Sequence, residues 1–390
     1  MLRITEVKSY IVFAEWRNWI FVKVETDQGI HGVGEATLEG KEHAVTGAIQ
    51  DLAYYLEGKD PREIELHLRN MYRDPFWRGG VVLNTAISAI EIALWDILGR
   101  HLGQPVYRLL GGKLRDRVRA YANGWYFGAS EPGEYAELAK EVVARGYTAL
   151  KWDPFRRSDL EVGREDLEFA VECIRKVREA VGPRVDLLIE GHGRFAPASA
   201  LKVARAMEPY DVFWFEEPVP PENLQALKQV AARTRVPIAT GERLYTKHDY
   251  RRLLPLQAAG YIQPDVIHAG GILELKKIAA MAEAWYVHVA PHNPNGPVAM
   301  AASLQAAACT PNIVLMEFLM ADPPWRKQVV TFDPDIDAEG YLRIPDGPGL
   351  GVDLVEEELG KHPYQPKALN FFSEESVLER PIVPRQEQGA

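Results

Sequence analysis

Hydrophobic and polar residues alternate over positions 3–14 and 19–27, and the turn TDQG then leads into IHGVGEA. This period of two predicts an antiparallel meander of three strands at the start of the chain. Next the period lengthens. Segments 41–57, 60–73 and 83–102 read as helices, the last with Ala86, Ile90, Ala93, Leu94 and Ile97 at helical spacing and a stop near Gly103 and Pro105. From Arg117 onward, short apolar runs alternate with longer helical stretches such as 131–145, 165–181 and 273–284. The runs predict strands near 118–123, 147–152, 185–190, 212–216, 236–241, 261–265, 285–290 and 312–317. Eight strands separated by helices fit an α/β barrel of (β/α) units better than an open doubly wound sheet. No G-x-G-x-x-G follows the first of them, so a dinucleotide site has no support. The helix that would complete the eighth unit is missing, replaced by the proline-rich ADPPWRKQ, FDPDID and IPDGPGLG. The expected organisation is an α+β capping domain over 1–115, a barrel over 116–329, and a segment, 330–390, returning to the first domain.

Composition narrows the class. A chain of 390 residues, 47% hydrophobic and 26% charged, suits a large-cored globular protein. Its 45 basic and 55 acidic residues give a net charge of −10, and no basic patch carries interleaved aromatics, which argues against nucleic acid. The opening MLRITEVKSYIVF has neither an uncharged apolar run nor a small-residue cleavage site, and no later stretch reads as a membrane span. A cytoplasmic location is the expectation. Cys173 and Cys309 lack metal-ligand spacing and read as reduced thiols in or near the core.

Three apolar runs end in carboxylates: LLIEGHGRF in Glu190, VFWFEEP in Glu216 and Glu217, and PIATGER in Glu242. Positions 190, 216 and 242 stand at a constant interval of 26 residues, one β/α unit. In a closed parallel barrel such strand ends face one mouth, so the three groups would converge. Converging anions repel unless a cation sits between them, and an all-oxygen set favours Mg²⁺ or Mn²⁺ over zinc. Ion pairing with Arg194 or Arg243 is the alternative.

Other strand ends add polar groups. Asp265 in QPDVIH and His292 in APHNPNG fall on neighbouring strands, an arrangement in which a carboxylate orients an imidazole as a general base. His192 follows Glu190 by two residues and faces the same side, from which it could donate a proton opposite His292. Lys151 and Asp153 in ALKWDPF share that spacing, and both are candidates for binding substrate. Lys151 is placed either on a substrate carboxylate or in an ion pair with Asp153 or Glu190; Glu317 either binds substrate or holds a neighbour. His268 and His288 read as structural. A cation held by three carboxylates, facing a base, suits removal of a proton α to a substrate carboxylate; with a β-hydroxyl and an acid present, water leaves.

Taken together, ALWDILGRHLGQPVYRLLGG, YANGWY, ALKWDPF, IEGHGRF, FEEPV, ATGER, QPDVIHAGGI and APHNPNGPVA resemble the mandelate racemase subgroup of the enolase superfamily, most closely its galactonate and gluconate dehydratases. The likeness spans nearly the whole chain. It implies a (β/α)7β barrel under an N-terminal α+β capping domain, Mg²⁺ on Glu190, Glu216 and Glu242, His292 with Asp265 as base, and His192 as the acid that helps the 3-hydroxyl depart. It also implies specificity loops near 14–19, with Glu15, Trp16, Arg17 and Asn18, and near 74–80, with Phe76, Trp77 and Arg78, joined by Trp125 and Tyr126. Two departures stand out. Racemases of the subgroup carry K-x-K where this chain has Lys151-Trp152-Asp153, which disfavours racemisation. Glu190 stands where galactonate dehydratases typically have Asp, which brings the gluconate type nearer. The expected function is a hydro-lyase acting on D-gluconate or D-galactonate, working as a homo-oligomer on this small-molecule substrate. A dehydratase of another acid sugar, a sugar-lactone cycloisomerase and a non-catalytic sugar-acid binding protein are the alternatives.

Overall fold

The computed structural model describes residues 2–367. Strands β1 (Ile4–Ala14), β2 (Arg17–Thr26) and β3 (His31–Glu35) form an antiparallel sheet in chain order. β2 begins before the predicted position because the turn is confined to Glu15 and Trp16, with Glu15 at φ 64°. Arg17 and Asn18, expected in a loop, are consequently buried in a strand. Helices α1 (Glu42–Leu56), α2 (Ile64–Arg73) and α3 (Val81–Leu102) follow. α2 starts later than its pattern suggests, since Asp60 accepts the Arg62 N–H at 3.0 Å and holds that stretch as a turn.

By length and composition α3 is apolar enough to cross a membrane, with a mean hydropathy of 1.7, contrary to the expectation from the sequence. Yet 78% of its most apolar stretch is buried inside the protein. Its polar side chains are satisfied there: Glu91 accepts the N–H groups of Ile272 and Leu273, and Asp96 those of Val33 and Leu350. α3 is therefore a core helix that ties the first sheet to the rest of the protein. β3 approaches it closely because Gly32 and Gly34 lack a Cβ, which would run into the carbonyls of Ala93 and Ala89.

After the short α4 (Val106–Leu109) the chain alternates strand and helix: β4 (Arg117–Asn123), α5 (Pro132–Ala144), β5 (Ala149–Trp152), α6 (Arg164–Val181), β6 (Asp186–Glu190), α7 (Pro197–Met207) and β7 (Trp214–Glu216). It continues with α8 (Leu224–Ala231), β8 (Ile238–Thr240), α9 (Thr246–Leu253), β9 (Tyr261–Ile262), α10 (Ile272–Glu283), β10 (His288–Val289), α11 (Pro297–Ala308) and β11 (Met316–Leu319). The strands pair in parallel in the order β10-β9-β8-β7-β6-β5-β4-β11, and a bridge from Val289 to Ile313 closes the ring. The architecture is the expected mixed α/β one, a curled parallel sheet beside a small domain with its own antiparallel sheet. Several strands are shorter than predicted. Pro237 stands just before β8 and Pro264 just after β9, where a missing N–H ends the ladder.

Among the described residues no helix of barrel length follows β11. Instead β12 (Tyr341–Arg343) pairs antiparallel with β4, and α12 (Glu356–Leu359) lies against the first sheet. There Glu356 accepts hydrogen bonds from Tyr10 Oη and Lys23 Nζ, both at 2.6 Å, and Pro363 bridges to Val12. The remainder of the expected returning segment, 368–390, lies outside the described residues.

Candidate active site

Inside the ring, Tyr121, Ala149, Leu188, Trp214, Ala239, Ala290 and Leu315 form one buried cluster. A strand returns to the same face every second residue, so two positions onward the next inward layer is Asn123, Lys151, Glu190, Glu216, Gly241, Gln263, His292 and Glu317. The interior thus changes from apolar to ionisable within one step, at the carboxyl ends of the strands.

Register pairs Glu190 directly with Glu216, and Glu242 follows Gly241 just beyond β8. One oxygen from each of Glu190, Glu216 and Glu242 lies within 4.8 Å of the others. Glu190 Oε1 accepts the His192 N–H at 2.6 Å, while its Oε2 is buried with no hydrogen bond among the described residues and stands 3.4 Å from the Lys151 ammonium. A buried, under-satisfied oxygen beside two more carboxylates is a donor set that fits a hard cation, so the three side chains could hold a metal. Of the adjacent pair, Glu216 points inward, accepting from Trp214 Nε1 at 3.0 Å and Lys151 Nζ at 2.7 Å. Glu217, at φ 38°, is turned to the Arg243 guanidinium.

Lys151 is buried and pairs with Glu216 and, at 2.8 Å, with Glu317, which also accepts from Asn123 Nδ2 and the Asn293 N–H. Burial opposes its charge, but Glu216 and Glu317 hold the ammonium well above its ordinary pKa. Burial and the neighbouring Glu190 carboxylate push Glu216 far up. Glu242 goes the other way: against burial, the positive His292 and Arg243 hold it at about 2.

Two imidazole–carboxylate pairs flank the cluster. His292 Nδ1 meets Asp265 Oδ2 at 2.7 Å, and its Nε2 stands 3.5 Å from Glu242 Oε2. Asp265 is fully buried and also accepts the Ile267 N–H and Asn295 Nδ2, both at 2.9 Å. Burial lowers the His292 pKa, but the Glu242 and Asp265 carboxylates outweigh it and raise the group to about 10. His192 Nδ1 meets Asp153 Oδ2 at 2.7 Å, and Arg194 pairs with the same oxygen. Here burial wins and His192 lies below its ordinary value. His192 takes φ 49°, a conformation that costs a residue with a Cβ roughly 1 kcal/mol or more and that the surrounding bonds must enforce.

Asp153, expected to bind substrate, is instead the buried partner of His192 and Arg194, a pairing that Lys-x-Asp in the sequence does not disclose. Of the two arginines offered as ion-pair partners for the carboxylates, Arg194 pairs with Asp153, while Arg243 pairs with Glu217 and stands 3.9 Å from Glu242; Asn123 and Asn295 join the site by contact across strands, which local spacing does not carry. His268, read as structural, bonds Thr85 Oγ1 through Nδ1 at 2.8 Å and lies 3.9 Å from Asp265. Trp125 and Tyr126 are buried in an aromatic cluster with Tyr135, and Trp125 donates to the Lys151 carbonyl. Trp77 is not gathered with the others: it is 84% exposed and edge-on to Phe76. Trp16 reaches across to the barrel, donating to the Ala321 carbonyl.

Residues 134–358 match a family model described as enolase C-terminal domain-like, and residues 12–111 one described as the mandelate racemase/muconate lactonizing enzyme N-terminal domain. The chain is 40% identical over 390 residues to a D-gluconate dehydratase of Thermoproteus tenax, spanning 98% of this chain and 77% of that protein. It is 39% identical over 364 residues to a D-galactonate dehydratase of Variovorax paradoxus (strain S110), spanning 92% and 94%. Among solved structures, a mandelate racemase/muconate lactonizing enzyme from Jannaschia sp. CCS1 superposes with a TM-score of 0.88 at 37% identity, over 94% of this chain and 99% of that one.

Proposed function

The chain belongs to the mandelate racemase/muconate lactonizing group of the enolase superfamily, and on that premise we propose that it is a Mg²⁺-dependent acid-sugar dehydratase. Its substrates are D-gluconate or D-galactonate and its product is the 2-keto-3-deoxy acid. The observation that carries this reading is the pair of imidazoles, each tied through Nδ1 to its own buried carboxylate, on either side of one three-carboxylate cluster.

Glu190, Glu216 and Glu242 would hold the ion, which when bound supplies positive charge for the substrate carboxylate. The chain's own groups do the rest. His292 receives the proton from C2 at Nε2, with Asp265 fixing the ring through Nδ1 and stabilising the imidazolium that results. His192, oriented by Asp153, gives a proton to the 3-hydroxyl as the C3–O bond breaks, so the hydroxyl leaves as water. The enol left between C2 and C3 takes up a proton at C3 and becomes the ketone. Lys151 and Glu317, at the floor beside Glu216, meet the substrate's carboxylate and a hydroxyl, and Trp125 with Tyr126 contributes to the wall near the mouth. Asp153 occupies the position where a racemase would need a second lysine, which supports elimination over racemisation. A cytoplasmic homo-oligomer completes the reading.

The test is turnover of the purified protein with Mg²⁺ on a panel of aldonic and aldaric acids, with and without EDTA. EDTA-sensitive 2-keto-3-deoxy product from either aldonate supports the reading. Absence of product together with absence of α-proton exchange in D₂O refutes it and turns attention to lactone cycloisomerisation.

A further inference from the structure

We infer that Glu35, at the end of the capping sheet, is a positioning residue for His292, so that the base is set in place by the domain above the barrel. This rests on the reading of His292 as the base. Glu35 is fully buried, a costly site for a carboxylate unless N–H donors surround it. Its Oε1 accepts the Gly296 N–H at 2.6 Å and Thr37 Oγ1 at 2.7 Å, and its Oε2 accepts the Ala299 N–H at 2.9 Å. Gly296 is the N-cap of α11 and has no side chain to satisfy that helix's first N–H groups, while Pro297 has no N–H to offer. Glu35 therefore caps α11 from another domain.

The cap lies four residues from His292, and the intervening backbone is held at every residue. The Asn293 N–H donates to Glu317 at 2.8 Å, the Pro294 carbonyl accepts from Arg17, and the Asn295 carbonyl accepts from Arg326 at 2.9 Å. Two of these four anchors, Arg17 and Glu35, come from the capping sheet. Asn295, next to the residue that Glu35 holds, donates to the same Asp265 oxygen that binds His292 Nδ1. A shift at Gly296 is thus delivered two bonds later to the imidazole. Partners of this outer kind matter because they set the angle and tautomer of the reacting group.

The test compares Glu35→Gln with the parent protein by steady-state kinetics, α-proton exchange and proton NMR of the His292 Nδ1–H, assigned by its loss in His292→Asn. The substituted amide keeps one acceptor and turns an NH₂ against an N–H, so kcat and exchange should fall together by about 10- to 100-fold with KM little changed, and the resonance should move or broaden. Asp353→Asn, which loosens the C-terminal segment from α3 far from this loop, controls for general destabilisation and should leave kcat alone. If Glu35→Gln does not fold, Gly296→Ala replaces it: a Cβ there would meet Glu35 Oε1 at 2.7 Å, and φ of −76° suits alanine. A folded variant with unchanged kcat and unchanged resonance overturns the inference. A parent protein that shows the resonance but exchanges no acid sugar refutes the dehydratase reading instead, and the resonance comparison still decides the role of Glu35.

Discussion

Asp265→Asn should remove most of the turnover without disturbing the fold or the metal site. In the native protein Asp265 Oδ2 accepts two hydrogen bonds, from His292 Nδ1 at 2.7 Å and Asn295 Nδ2 at 2.9 Å, while Oδ1 accepts the Ile267 N–H. An asparagine can keep Oδ1 on Ile267 only by aiming its NH₂ at two donors. The imidazole then turns or moves its proton to Nε2, and the lone pair that faces the cluster is lost. The lost bond from His292 Nδ1 to a charged group is about 1.5–3 kcal/mol, and the new bond from the amide, about 0.5–1.5 kcal/mol, favours the other tautomer, so the populated fraction of the correct one falls by roughly 10²–10³-fold. General-base assistance spans a similar range, which sets the expected loss of kcat at roughly 10²–10³-fold. The assay is initial-rate formation of 2-keto-3-deoxy acid alongside solvent exchange of the α-proton; both should fall equally, while calorimetric Mg²⁺ binding stays near the parent value. A variant retaining more than about a tenth of the parent kcat would show that Asp265 does not control the His292 tautomer and would refute the argument.

Other variants separate the remaining roles. His192→Asn should keep slow α-proton exchange and lose dehydration; loss of both would make His192 structural or the base itself, and His292→Asn should abolish turnover while substrate and metal still bind. In metal-free protein His292, raised to about 10, stays protonated through neutral pH; its stabilising interaction is full below about pH 6.5 and is lost as the pH rises through 10. Adding Mg²⁺ should lower that titration, followed by ¹⁵N NMR of the imidazole, and no change on adding Mg²⁺ would place the ion elsewhere. Asp353→Asn removes a carboxylate that bonds Arg100 at 2.8 Å and His31 at 2.9 Å across α3, β3 and the returning segment. Partial exposure limits the loss to about 1 kcal/mol, a melting-point drop of roughly 1–2 °C for a chain of this length. Burial opposes the Asp353 charge but His31 and Arg100 hold its pKa well below the ordinary value. The contribution is therefore present above about pH 4 and lost as the pH falls further, so parent and variant should converge in acid.

Legibility in the sequence followed the range of each interaction. Period-two and helical spacing are local, so the three-stranded meander, the helices and the strand–helix alternation from Arg117 onward could all be read along the chain. The constant interval of Glu190, Glu216 and Glu242 was readable for the same reason, and closure of the ring turned that phase into proximity. Strand limits were less legible, because Pro237 and Pro264 act through ladder hydrogen bonds that exist only once strands pair. Only the folded ring decided how the ionisable groups divide among themselves: Asp153 with His192, Glu217 turned to Arg243, and Lys151 shared by Glu216 and Glu317. Those assignments depend on distances of a few ångströms between strands far apart in sequence. Glu35 is the extreme case, a residue that in the sequence is only part of the third strand until tertiary contact sets it on the first turn of a helix some 260 residues away.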